Sequence, residues 1–158
     1  MTRPLIILVL LCCSFQLKAQ DVSEEQKIKK VVTTFFEGFH ARDSIIMKSS
    51  FHEDPVIQTV GVTKDGEVEL VREELQKVLK GIVSIPLKTD FKEVLHDYQI
   101  QIDGNMAHVW TPYSFFLNDT FSHCGVNSFQ LIREAEEWKI IYLIDTRRKE
   151  ECDKTKLN

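Results

Sequence analysis

The chain has 158 residues, of which 43% are hydrophobic and 28% charged, and its formal net charge is −4. An acidic chain with no basic stripe is a poor ligand for nucleic acid, so phosphate-backbone binding is excluded as its main role. The length suits one domain behind a short leader.

Arg3, the apolar run Leu5 to Cys13 and the small Ala19 read as an export signal over residues 1–19, cut between Ala19 and Gln20. A membrane span needs roughly 20 apolar residues, so the run predicts no stable membrane anchor. Leu11 before Cys12 is too large for lipid attachment at that cysteine. The expected destination is outside the cytoplasm, secreted or periplasmic. Residues 20–158 form the expected domain, and loss of Arg3 and Lys18 takes its charge to −6. Cys124 and Cys152 survive processing. An oxidising compartment invites a disulfide between them; the alternative is a packed Cys124 and a free tail thiol. Neither C-x-x-C nor a Cys/His group with zinc spacing is present, so no metal or cofactor is expected.

Ser23 and Gln26 form a capping signature ahead of Ile28, Val31, Val32, Phe35, Phe36 and Phe39, which share one helical stripe. Asp43 can cap a short second helix carrying Ile46 and Met47. The stretch Phe51-His52-Glu53-Asp54-Pro55 is expected to break it, because Pro55 disfavours helix at Asp54. A strand Val56–Val62 and a short strand Glu67–Leu70 meet around Asp65-Gly66, a hairpin turn pair. A third helix is expected from Val71 to Lys80. The remainder reads as four strands, Asp90–Ile102, Met106–Leu117, Phe121–Arg133 and Glu137–Arg147. Helices first and a meander last predict an α+β fold: a cone-shaped, curved antiparallel sheet wrapped around about three N-terminal helices, open at one end to a ligand.

The last hairpin allows a choice of face. Leu131 opposite Ile140 keeps Phe129, Leu131, Trp138, Ile140, Tyr142 and Ile144 on one side, and a one-residue slip would separate them. This register turns His123 and Asn127 inward. It turns Ile141, Leu143 and Asp145 outward, and the apolar outer residues Ile141, Leu143 and Val126 suggest a homodimer. The preceding hairpin leaves two options. A two-residue Asn118-Asp119 turn sends Trp110 inward, whereas a three-residue loop sends Tyr113 and Phe115 inward.

Phe51-His52-Glu53, Trp110-Thr111-Pro112-Tyr113, His123-Cys124-Gly125-Val126-Asn127, Trp138-Lys139-Ile140 and Asp145-Thr146-Arg147-Arg148, in this order of elements, resemble the nuclear transport factor 2-like superfamily. The nearest likeness is to its small secreted lumazine-binding or cyclase-like bacterial members. The resemblance spans about Ser23 to Cys152. It implies an isomerase, a dehydratase, a cyclase or a plain binding module, since the fold alone does not choose among them.

Acid–base chemistry needs a base in an apolar cavity and a donor for a developing oxyanion. His52, Glu53 and Asp54 could stand at the mouth, or form a surface turn. His123 with Tyr113 or Asn127 could form an acid/base pair, or His123 could be structural. Asp145, on the outward parity, is expected to pair with Arg147 or Arg148, which leaves the base missing or displaced. The first expectation is therefore a small-molecule-binding domain for a hydrophobic or aromatic ligand. Its site is expected to comprise Trp110 or Tyr113, His123, Asn127 and His52, with Phe35 or Phe39 from the first helix. An enzyme of the isomerase, dehydratase or cyclase kind is the alternative, and a dimeric interaction module the third reading.

Overall fold

A computed structural model describes residues 23–153. The proposed export signal lies outside the described residues. Helix α1 (Glu24–Ala41) starts as its sequence dictates: the Ser23 side chain accepts from the Gln26 N–H, and the Gln26 side chain accepts from the Ser23 N–H. It buries Ile28, Val32, Phe35 and Phe36. Helix α2 (Ser44–Ser49) is capped by Asp43, whose carboxylate accepts from Ile45 and Ile46. The two helices touch at Gly38, where a Cβ would lie 2.7 Å from the Met47 backbone nitrogen. That contact leaves room for no side chain.

Seven strands follow and form one curved sheet in the order β2-β1-β7-β6-β5-β3, with β4 also paired to β5. They are β1 (Phe51–Val62), β2 (Val68–Glu73), β3 (Phe91–Leu95), β4 (Gln99–Asp103), β5 (Met106–Leu117), β6 (Thr120–Glu134) and β7 (Glu137–Thr146). Helix α3 (Leu75–Val83) stands between β2 and β3. Phe129, Leu131 and Ile140 of the sheet share one core with Ile28, Val32 and Phe35 of α1. The α+β cone read from the sequence is therefore the fold, with one exception to its antiparallel rule: β1 and β7 run parallel.

Four local expectations are corrected. Phe51–Pro55 is not a turn but the start of β1, and its ladder with β7 shifts register between Phe51 and Val56. Pro55, which has no N–H to donate, is tolerated inside that irregularity. Val71 does not open α3. Thr59 pairs with Val71 and Ile57 with Glu73, so the hairpin ladder extends β2 and the helix waits until Leu75. The single strand expected over Asp90–Ile102 is two, both paired to β5. They part opposite Pro112, which offers β5 no N–H, although its carbonyl still accepts from His96.

The last hairpin also presents its faces differently from the expectation. Leu131 pairs with Ile140 as expected, but Gln130 then pairs with Tyr142, so Ile141 is an extra residue in β7. A one-residue bulge reverses the parity beyond it. Leu143 and Asp145 therefore face the helices, while Tyr142 and Ile144 face outward. Leu143 is thereby withdrawn from the outer surface on which a dimer was expected.

Candidate functional site

The β5–β6 hairpin settles the choice left open above. Its turn has two residues, Asn118 and Asp119, both with positive φ, and Leu117 pairs with Thr120. A second bulge then makes Ser122 the extra residue, since Phe116 pairs with Phe121 and Phe115 with His123. The short turn plus the bulge gives the parity of the longer loop. Tyr113 is buried at 2% exposure, and Trp110 stands on the outer face at 42%. Trp110 is thus not a cavity residue. Nor is His52, whose Nε2 lies 3.6 Å from a Glu134 carboxylate oxygen away from the cavity.

The open end of the cone holds a cavity of about 370 Å³ between α1, α3 and the inner face of the sheet. This is within the range of small-molecule sites. Phe35, Phe36 and Phe39 line it from α1, as do Phe91 and Phe115 from the sheet. Tyr113, His123 and Asn127 line it too, so of the residues expected at the site only Trp110 and His52 fall outside this cavity. His123 stacks on Phe115 at 4.8 Å and meets the Tyr113 ring edge-on at 5.8 Å. Burial, and then the Arg147 charge, push the His123 pKa down, which favours the neutral ring.

The residue that sequence reasoning missed is Glu93. It lies on β3 with its side chain lining the cavity, and Asn127 Nδ2 donates to its Oε1 at 2.7 Å. Its backbone N–H donates to His40 Nε2 at 2.9 Å. No cation is paired with the carboxylate among the described residues. Burial raises its pKa to about 7, Asp145 adding to the effect while the Asn127 hydrogen bond and Arg147 oppose it. A signal for it was present: Phe91, Glu93 and Leu95 share one strand parity, and Phe91 and Leu95 are apolar.

The inward turn of β7 brings in a second polar group. Asp145 Oδ1 accepts from Thr59 Oγ1 at 2.5 Å, and Oδ2 accepts from Arg147 Nε at 2.9 Å. The expected Asp145–Arg147 ion pair is present, but it forms part of the cavity wall rather than the outer surface. The strand end is held from three sides. Tyr113 donates its hydroxyl to the Thr146 carbonyl at 2.9 Å, and Cys124 and Arg148 exchange backbone hydrogen bonds. Cys124 and Cys152 are joined by a disulfide, with Cα atoms 6.0 Å apart. Gly125 makes the closure possible: a Cβ there would lie 1.8 Å from the Thr146 carbonyl oxygen and 2.7 Å from the Tyr113 ring.

The fold is shared with several solved structures. An NTF2-like protein of unknown function from Shewanella baltica is 20% identical with a TM-score of 0.58, over 79% of this chain and 94% of that one. An NTF2-like protein from Cytophaga hutchinsonii is 15% identical with a TM-score of 0.63, over 80% and 99%. The chain has the nuclear transport factor 2-like fold. A third NTF2-like structure, from Novosphingobium aromaticivorans, is 11% identical with a TM-score of 0.64, over 84% and 85%. No family model matches the sequence, and no curated protein does. At these identities the NTF2-like likeness is one of fold, and it does not reach the lumazine-binding or cyclase-like branch.

Proposed function

We propose that the NTF2-like cone is a small-molecule site in which Glu93 exchanges a proton with the bound molecule, as in an isomerase- or dehydratase-type enzyme. The observation that carries this reading is a carboxylate inside an aromatic cavity, held by one neutral hydrogen bond from Asn127 and with no cationic partner among the described residues. A group titrating near neutrality is available both to take and to return a proton. His123, neutral and stacked on Phe115, is the candidate donor to a developing oxyanion. A second reading, a binding module without chemistry, is favoured by one fact: the Tyr113 hydroxyl is already spent on the Thr146 carbonyl. Export is part of the same proposal, supported by the leader sequence and by a disulfide that an oxidising compartment would preserve. The secreted chain is expected to begin at or near Gln20.

The test is hydrogen–deuterium exchange at carbon in D₂O, using a set of enolisable cyclic ketones first shown to bind. The wild type should exchange a bound ketone faster than Glu93→Gln by about 10²- to 10⁴-fold, the usual contribution of a general base. Equal rates in the two proteins for every ketone that binds would favour the binding module.

A further inference from the structure

Many polar atoms facing the cavity are satisfied; besides the His123 ring, open ones stand on Arg147 and Glu93. Both Asp145 oxygens are taken, one by Thr59 and one by Arg147, and the Tyr113 hydroxyl is taken by Thr146. Arg147 is not filled. A guanidinium carries five N–H donors. Here Nε serves Asp145, one Nη reaches Thr59 Oγ1 at 3.4 Å, and the other has no acceptor among the described residues. The Arg147 side chain is 55% exposed while lining the cavity, which places it at the opening. Asp145 already orients its planar fork, so less freedom is lost when a ligand docks on it. Deeper in, Glu93 uses Oε1 to accept from Asn127 and leaves Oε2 open. Between the two lies an aromatic wall, with Phe39 and Phe91 at 5.0 Å and Phe91 and Phe115 stacked at 6.3 Å.

Resting on the reading of this cavity as a small-molecule site, we propose that its ligand is a small ring-bearing carboxylate. The carboxylate docks on the free edge of Arg147, the ring lies against Phe39, Phe91 and Phe115, and a C–H or O–H faces Glu93. An amine is the wrong complement. Arg147 presents positive charge at the opening, the Asp145 charge is already committed, Glu73 is on the exposed strand β2, and burial pushes Glu93, the third lining carboxylate, towards its neutral form. A neutral carbonyl could also accept from Arg147. It would forgo the charge-assisted, two-point contact that a carboxylate makes with a guanidinium.

The experiment is a binding comparison on the disulfide-intact protein, by calorimetry and ligand-observed NMR. The probes are benzoate, benzamide and benzylamine, with the corresponding 2-naphthyl set. Carboxylates should bind at least about tenfold tighter than the matched amides, and the amines most weakly. Arg147→Gln should remove that advantage, costing the carboxylate far more than the amide, and Arg147→Lys should restore part of it. Amides or amines binding as well as carboxylates, or a carboxylate preference that survives Arg147→Gln, would overturn the proposal. If Arg147→Gln does not fold, the loss of advantage in Arg147→Lys decides the question alone. No binding by any probe, with Glu93 still titrating near neutrality, would refute the ligand class and leave the cavity reading standing. A Glu93 that titrates as an ordinary carboxylate would strike the cavity reading itself.

Discussion

Glu93 and Asn127 form a pair in which each explains the other. Asn127 is 5% exposed, and an inward amide is costly unless it is bonded. Its Nδ2 is bonded to Glu93, and that bond draws the Glu93 pKa back towards its ordinary value against burial. Asn127→Leu should therefore raise the Glu93 midpoint above its wild-type value and destabilise the fold by about 1–3 kcal/mol. NMR titration and chemical denaturation would read the two effects separately. A raised acid also gives stability a definite pH dependence. The folded state holds a proton that the unfolded state releases near 4.5, so stability is greatest below that pH and falls as pH rises towards about 7. Glu93→Gln carries no such proton. Relative to wild type it should be roughly 3 kcal/mol more favoured at pH 8 than at pH 4, a difference that follows from the size of the shift.

At the scale of elements, much was legible because caps and periodicities are local. The Ser23 capping box, the Asp43 cap, the Phe-rich stripe of α1 and the pairing of Leu131 with Ile140 can all be read within a few residues. The bulges cannot. Ile141 and Ser122 carry no local mark, yet each reverses the side-chain parity beyond it: the first brings Asp145 inside, and the second gives a two-residue turn the inward Tyr113 expected of a three-residue loop. Glu93 escaped for a related reason. Its strand was read as one long run over Asp90–Ile102, and only the break opposite Pro112 separates the cavity-lining part from the rest. The C-terminal end of β7 is the element on which the site leans most. Its closing disulfide spans 28 residues, and the loss of such a link costs about 3–4 kcal/mol in the chain-entropy view. Cys152→Ser should lower the unfolding midpoint accordingly. It should also loosen Arg147, so a probe carboxylate should lose affinity more than the matched amide.

For the molecule as a whole, the sheet has two faces with different tasks. The inner face is covered by α1 and α3 and ends in the cavity. The outer face shows Met106 and Trp110, both more than 40% exposed. That is more apolar surface than a solvated face usually carries, and it supports the proposal of a homodimer through this side even though Leu143 is turned inward. Sedimentation at high micromolar concentration should give about twice the monomer mass, and Trp110→Lys should return the monomer. A clean wild-type monomer would contradict this without touching the cavity, which lies on the other face.

The proposed function turns on one carboxylate. Its most direct test is a ¹³C NMR titration of the glutamate side-chain carboxyl carbons, with Glu93 assigned by the signal missing in Glu93→Gln. The Glu93 carbon should titrate with a midpoint near 7. If the Glu93 carbon titrates as a model glutamate does, below about pH 5, the site is not a proton-transfer cavity and the proposed function fails.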